Sequence, residues 1–249
     1  MKIEAVILYS TNDFRFINTC INQLLKCDIK CHIITYSHMW NGTLEDEILL
    51  NKTITSYKDN SLVNFYKIDW EPNKSPWYWE GLGRYLGTQE VSPSSDFILY
   101  IDSDEIIDSD IFFEELEKNN FSKYNAIGLY GYWYWREPIY QSTTTEYTGT
   151  MVKTELAKQL PLMEGGRNYY FNSISPQVII GKKNPIIHHY SWVRTKNEML
   201  NKVKNWGHCN DRQNWVECIE EEFTHPFNGK DFVHNYEYIK VNNKFDIKI

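Results

Sequence analysis

Short apolar runs alternate with segments of helical character along the first hundred residues. The apolar runs cover residues 3–9, 31–37, 62–68 and 97–101, a length typical of buried strands. The first run ends in four polar residues, 10–13, of the types that begin helices. The face of the helix predicted to follow consists of Phe14, Ile17, Cys20, Ile21, Leu24 and Leu25. Strands and helices in this order predict an α/β fold with a parallel sheet flanked by helices.

A second helix is predicted to begin at Ser75 and Pro76, as its N-cap and first helical residue. Its expected buried face consists of Tyr78, Leu82, Tyr85 and Leu86. Polar residues 10–13 and 102–105 both follow directly on predicted strands. Because ligands of parallel sheets bind at the carboxyl ends of the strands, the two polar segments are expected to share one crevice.

The second half has a mixed pattern. Further strands are predicted within residues 126–137, 168–173, 177–180 and 185–190. Thr195 and Glu198 form a capping box that begins a helix, with Met199, Val203 and Trp206 on its apolar face and Gly207 at its end. Another helix is expected at about 212–223. No internal repeat or long linker divides the chain, so residues 1–249 are predicted to form a single domain.

Composition restricts the class of protein. A net charge of −7 argues against nucleic-acid binding, and no run of about 18 apolar residues is present to span a membrane. The five cysteines are irregularly spaced, unlike those of a zinc site. This spacing favours reduced thiols and therefore a cytoplasmic protein, which would act in the host cytoplasm if the source is viral. Aromatic residues make up 16% of the chain, enough for an aromatic core together with a surface that stacks on sugar rings.

The segment FILYIDSDEIIDSD at 97–110 contains two Asp-Ser-Asp triplets. Asp102 and Asp104 follow an apolar strand and can both reach a hard divalent cation, Mg²⁺ or Mn²⁺, which would let an acidic protein hold a diphosphate. The alternative is a solvated acidic loop. Asp108 and Asp110 precede a predicted helix and fit a capping role. Together with Glu105, the second pair is expected to meet water and helix N-termini.

These residues resemble a known family. FILYIDSDE is similar to the strand and Asp-x-Asp motif of GT-A-fold glycosyltransferases. Among these enzymes, the chain resembles those of family 2. HHYSWVRTKNEMLNKVKNWGH is similar to small glycosyltransferases of bacterial surface-polysaccharide clusters and large DNA viruses. The resemblance implies a single GT-A-like domain with a Rossmann-like sheet. Residues 1–105 would form its nucleotide-sugar-binding half, and residues 106–249 its mixed, acceptor-side half.

The resemblance also implies a metal and a donor. Asp104 would be the principal ligand of Mn²⁺ or Mg²⁺, with Asp102 on the donor ribose or on the metal through water. His189 would be a third ligand, and strand alternation allows only one of His188 and His189 to reach the metal. The implied donor is a nucleoside-diphosphate sugar. Its expected contacts are Ser10, Thr11, Asn12, Arg84, Asp102, Ser103, and Arg194 or Lys196.

For a transfer that inverts the anomeric carbon, a carboxylate must deprotonate the acceptor hydroxyl. Glu164 has the chain position that the resemblance implies for this base, and Glu137 and Asp211 are the competitors. Trp133 and Trp135 are candidates to stack on a glycan acceptor. The sequence leaves the stereochemistry, the donor and the oligomeric state open, although inversion is favoured.

Two other functions stay in competition. A sugar-phosphate nucleotidyltransferase would have a Gly- and Arg-rich loop after the first strand, whereas this chain has YSTNDFR. A non-catalytic carbohydrate-binding protein would account for the aromatic residues but not for Asp102 and Asp104.

Overall fold

The computed structural model describes residues 1–160, 167–206 and 208–249, apart from the side chains of 168–170. Within them the strands are β1 (Ile3–Leu8), β2 (Lys30–Tyr36), β3 (Val63–Ile68), β4 (Phe97–Asp102), β5 (Glu105–Ile107), β6 (Ala126–Trp135), β7 (Glu137–Lys153), β8 (Gln177–Ile180), β9 (Ile187–Trp192) and β10 (Tyr238–Lys240). The helices are α1 (Phe14–Leu25), α2 (Glu47–Ser56), α3 (Pro76–Glu90), α4 (Ser109–Lys118), α5 (Thr154–Ala157), α6 (Arg167–Ser173), α7 (Lys196–Asn205) and α8 (Trp215–Glu222).

All these strands belong to one sheet, in the order β3-β2-β1-β4-β7-β6-β9-β5, with β10 beside β7 and β8 beside β6. The first four strands pair in parallel. β7 is antiparallel to both β4 and β6, and β5 is antiparallel to β9. The parallel half and the mixed second half are therefore confirmed, and the sheet as a whole is mixed.

Helices cover both faces of the parallel half. Every residue of β1 is buried, as expected for a strand covered on both sides. On one face α1 packs with Phe16, Ile17, Cys20, Ile21 and Leu24, close to the predicted set. On the other face the sheet packs against Trp79 of α3.

The predicted buried face of α3 is correct only in part: Tyr78 and Leu82 pack against the core, but Leu86 is exposed. The fully buried residues of the helix include Gly83, Arg84, Gly87 and Thr88. The two glycines allow α3 to approach the sheet, since a Cβ at Gly87 would lie 2.5 Å from Cγ1 of Val6. Apolar spacing alone could not show that the helix packs through its smallest residues.

Segment 168–173, predicted as a strand, lies in helix α6. Arg167 and Phe171 are one helical turn apart, and both face the sheet. Arg167 pairs with Glu105, and the Phe171 ring lies 5.1 Å from that of Tyr147. These contacts join residues that are distant in the sequence, and they stabilise a helix where the local residue pattern predicts a strand.

The helices of the last third close a separate aromatic core. Thr195 and Glu198 form the predicted capping box at the start of α7. Helix α8 is shorter than predicted, but its residues Trp215 and Ile219 are buried as expected. This core consists of Trp135, Trp192, Met199, Val203, Trp215, Ile219 and Tyr238.

Candidate active site

The carboxyl ends of β1 and β4 lie side by side, with Leu8 paired to Asp102. After β1 the chain turns at once, and the Ser10 side chain caps a 3-10 turn over Thr11–Asp13. Just after β4, the short strand β5 pairs with β9, which places Glu105 opposite His189. The two polar segments that the sequence places at strand ends thus meet across one cleft, as predicted.

The cleft has a volume of about 390 Å³, within the usual range for a small-molecule site. Eight residues predicted from the sequence line it: Ser10, Asn12, Arg84, Asp102, Asp104, Trp133, His189 and Arg194. Several residues that the sequence did not single out also line it, among them Glu45, Trp77, Glu146, Arg167, Lys202 and Trp206.

Asp104 is the most enclosed acidic group of the cleft. Its Oδ2 lies 3.4 Å from Nζ of Lys202 and 3.5 Å from a guanidinium nitrogen of Arg194. Its Oδ1 faces Nε2 of His189 at 3.4 Å. Burial alone would raise the pKa of Asp104, but Lys202, the His189 hydrogen bond and Arg194 outweigh it and hold the pKa well below its usual range.

Asp102 is more exposed and pairs with two arginines. Its Oδ1 accepts a hydrogen bond of 3.0 Å from Arg84, and its Oδ2 lies 3.5 Å from Arg167. Burial raises the pKa of Asp102, but the charges of Arg167 and Arg84 lower it by more. Both carboxylates of the first triplet are therefore ionised and matched by fixed positive charge.

The alternation of His188 and His189 is as predicted. His189 faces the cleft with its ring 4.1 Å from that of Trp133. His188 faces the opposite side, where its Nδ1 lies 2.7 Å from the Tyr134 hydroxyl. Burial lowers the pKa of His188 to about 4, so it is a neutral core residue at physiological pH.

The second triplet is structural, as expected. Asp108 caps α4 by accepting a hydrogen bond from the backbone of Ile111, and it pairs with Lys244. Asp110 is exposed in the first turn. The expectation that Glu105 faces water is wrong. Glu105 is fully buried, and both of its oxygens bind the guanidinium of Arg167, which neutralises the charge.

Some predicted site residues lie outside the cleft. Trp135 is wrong as an acceptor contact, because it is fully buried in the aromatic core with its Nε1 bonded to Glu222. Thr11 and Ser103 are buried and act locally: Thr11 binds Glu45, and Ser103 donates to Asp13. Lys196 is at the surface, paired with Glu220.

Two of the three candidates for the catalytic base are described by the structure, and neither of them lines the cleft. Glu137 is exposed and does not line it. Asp211 is at the surface, bonded to His208 at 2.6 Å. Glu164 lies outside the described residues.

Two basic residues were missed by the sequence reasoning. Lys202 lies on α7 three residues after the buried Met199, so helical spacing could have placed it on the inner face. Arg167 had no such signal, since its partner Glu105 is 62 residues away in the chain.

Several polar atoms of the cleft side chains are buried without a hydrogen-bond partner among the described residues. They are Oε1 of Glu45, Nε of Arg84, Nε1 of Trp133, Nδ1 of His189, Oδ1 of Asn205 and Nε1 of Trp206. Buried polar groups in proteins are nearly always satisfied. Within the described residues, these six atoms are exceptions to that rule.

No protein-family model and no curated protein matches this chain. Among solved structures, it resembles S. aureus TarS in complex with UDP-GlcNAc, with a TM-score of 0.51 and 13% identity over 90% of this chain and 73% of that one. Two further matches have lower TM-scores. GlyE of Streptococcus pneumoniae gives 0.41 with 11% identity, over 93% of this chain and 66% of that one. The 4-diphosphocytidyl-2C-methyl-D-erythritol synthase of Anaerococcus prevotii gives 0.43 with 8% identity, over 90% and 99%. At such identities the likeness to TarS shows the fold alone, and that fold is GT-A-like.

Proposed function

We propose that this protein is a glycosyltransferase that moves a hexosyl or deoxyhexosyl group from a nucleoside-diphosphate sugar to a hydroxyl group of a glycan. One observation carries the proposal. At the carboxyl ends of β1 and β4, the Asp104 and His189 side chains meet four basic side chains, Arg84, Arg167, Arg194 and Lys202, in one cleft. In a GT-A-like fold this is the end of the sheet where ligands bind.

The basic side chains suit a diphosphate. Arg194 is almost fully buried and is fixed by Asp13 and by the backbone oxygen of Asn12 at 2.6 Å. Lys202 lies beside it, with a flexible side chain that can turn from Asp104 to a phosphate oxygen. Charges held in place before the reaction stabilise the developing negative charge on a leaving nucleoside diphosphate.

A divalent cation is part of the proposal. Oδ1 of Asp104 and Nε2 of His189 are 3.4 Å apart, close to the ~3 Å between neighbouring ligands of an octahedral ion. Among the described residues no group of three or more His, Cys, Asp or Glu side chains forms a cation site. Asp104 and His189 would supply two ligands of Mg²⁺ or Mn²⁺, and diphosphate oxygens and water would supply the rest. Such an ion acts as a Lewis acid on the leaving group.

The acceptor is proposed to enter beside Trp133. Its indole faces the cleft next to His189 and can stack on a sugar ring. Trp77 and Trp206 line the same cleft and widen this aromatic surface. We propose inversion at the anomeric carbon, in which a carboxylate removes the acceptor proton while the nucleoside diphosphate leaves.

A cytoplasmic location is also proposed. All five cysteines are free thiols, as is usual in a reducing compartment. Cys20 and Cys31 are fully buried, and burial raises the pKa of both thiols, so they are inert core residues. Within the described residues, no helix has the length and apolar character needed to cross a bilayer.

The proposal is tested by thermal unfolding with UDP-glucose, UDP-N-acetylglucosamine, GDP-mannose, dTDP-rhamnose and CMP-N-acetylneuraminate, each with and without Mn²⁺. A ligand at 100 times its Kd stabilises the folded state by about 2.7 kcal/mol, a clear rise in Tm. We expect a rise with one diphosphate sugar that depends on Mn²⁺ and is lost in Asp104→Asn.

The matched control is Asp110→Asn, which changes the last Asp of the second, surface triplet. It should keep the full rise in Tm. If no nucleotide sugar changes the Tm of the wild type while a glycan does, the chain is a carbohydrate-binding protein and the transferase proposal fails.

A further inference from the structure

The six carboxylates that line the cleft differ in their partners. Asp13, Glu80, Asp102 and Asp104 each pair with an arginine or a lysine. Glu45 accepts hydrogen bonds from the backbone N–H and the hydroxyl of Thr11. Among the ion pairs of the described residues, Glu146 has no basic partner. Glu45 is buried and already bonded to Thr11, whereas Glu146 is exposed at the cleft. Glu146 is therefore the carboxylate of the six that an acceptor hydroxyl can reach without displacing a cation.

Glu146 belongs to the wall of the cleft that carries the aromatic side chains. It lies on β7, paired with Gly131 of β6. Two residues further along β6, Trp133 pairs with His189 of β9. Both Trp133 and Glu146 line the cleft, so an acceptor stacked on this wall has the carboxylate within reach of its hydroxyl groups.

A turn before β10 holds Glu146 in place. Asp231 is buried, and its carboxylate accepts backbone hydrogen bonds from Val233 at 2.7 Å and Tyr236 at 3.0 Å. This turn stacks the rings of His234 and Tyr236, 5.2 Å apart, beside Trp133. Burial, hydrogen bonding to Glu146 and the charge of Glu146 all raise the pKa of Tyr236, which therefore remains a hydrogen-bond donor to that carboxylate.

We infer that Glu146 is the general base of the transfer. The Glu146 carboxylate takes the proton of the acceptor hydroxyl, and the freed oxygen forms the new bond to the anomeric carbon. The bond from that carbon to the phosphate oxygen breaks, and its electron pair leaves on the nucleoside diphosphate. The products are an inverted glycoside, the nucleoside diphosphate and protonated Glu146, which returns its proton to water. This inference rests on the proposed function.

The test compares Glu146→Gln with Glu137→Gln, an exposed glutamate of the same strand that lies outside the cleft. The probe is the nucleotide sugar that raises Tm in the panel above, with Mn²⁺, and release of nucleoside diphosphate is measured with water as the acceptor. We expect Glu146→Gln to release it at least about 100-fold more slowly than the wild type, the usual contribution of a general base. Glu137→Gln should retain the wild-type rate, and both variants should keep the Tm rise with the donor.

A second variant separates loss of the base from misfolding. In Glu146→Ala, added formate is expected to restore part of the release, because a small carboxylate can occupy the vacated space. Rescue should be absent in Asp104→Asn.

Four results would overturn the inference. A wild-type rate in Glu146→Gln removes Glu146 from the reaction and leaves the proposed function standing. A product with retained configuration also removes Glu146 and overturns the proposed inversion, while the proposed glycosyl transfer itself stands. If the wild type binds a donor but does not cleave it, Glu146 does not activate water for attack on the anomeric carbon, and the inference fails. If the wild type neither binds nor cleaves any donor, the proposed function itself fails, and the inference fails with it.

Discussion

The acidic residues at the end of β4 each have a basic side chain or a histidine within reach. Asp102 lies between Arg84 and Arg167, Asp104 is next to Lys202 and His189, and Glu105 is bound by Arg167. Uncompensated charges in such a buried cluster would be costly, so these pairs allow the segment to fold without a ligand.

Glu45 behaves differently because no basic side chain contacts it among the described residues. Burial raises its pKa, although hydrogen bonds from Thr11 and Ser10 lower it. When the pKa of a carboxyl is higher in the folded state than in the unfolded state, the protein becomes less stable as the pH rises above the pKa of the unfolded state. We expect Glu45→Gln, which keeps the acceptor for Thr11, to be at least as stable as the wild type at pH 8.

Urea unfolding at pH 8 and pH 5 measures this effect. The advantage of Glu45→Gln should shrink at pH 5, because the wild-type carboxyl then takes up a proton in the folded state. An advantage that grew as the pH fell would mean that ionised Glu45 stabilises the fold, contrary to its burial.

At the scale of the element, the position of Arg84 depends on how closely α3 approaches the sheet. A Cβ at Gly83 would lie 2.0 Å from the Tyr36 hydroxyl, and one at Gly87 would lie 2.5 Å from Val6. Neither space can accept a methyl group without a shift of the helix. The glycines therefore set the distance at which Arg84 meets Asp102.

Replacing Gly87 by Ala tests this packing. Alanine is the better helix former by about 1 kcal/mol, which would stabilise an exposed helix. Overpacking against Val6 and Ile34 instead costs about 1–3 kcal/mol, so we expect Gly87→Ala to lower the free energy of unfolding. In urea unfolding, the exposed neighbour Gln89→Ala should change stability by less than about 0.5 kcal/mol. A stabilised Gly87→Ala would show that the helix is not in contact there.

Elements with a strong local signal were predictable. The first four strands, the capping box at Thr195 and the cap at Asp108 all follow from residue type and spacing. The buried face of α3 and the helix at 167–173 could not be predicted in this way. They depend on glycine packing and on the Arg167–Glu105 pair, which arise only in the folded chain. Trp135 was misjudged because strand alternation puts it on the same face as Trp133, whereas β6 changes register between the two residues and the aromatic core covers Trp135.

For the whole molecule, the site forms where a parallel half meets a mixed half. The first half contributes Asp102 and Asp104, and the second contributes His189, Arg194 and Lys202. The sequence predicted that Asp104 and His189 belong to one site, and this prediction rested on a resemblance confined to two short segments. Helical spacing could have placed Lys202 on the inner face of α7, but the positions of Arg167 and Glu146 in the cleft depend on how α6 and β7 pack in the folded chain.

The proposed function requires a nucleoside diphosphate and a divalent cation to bind together at Asp104 and His189. The most direct test is an anomalous difference map at the manganese edge, from crystals grown with Mn²⁺ and the nucleoside diphosphate of the donor that raises Tm. We expect one strong peak at about 2.0–2.3 Å from Oδ1 of Asp104 and Nε2 of His189, shared with diphosphate oxygens. A nucleotide bound in the cleft with no manganese peak at these two residues, or bound elsewhere on the protein, would contradict the claim.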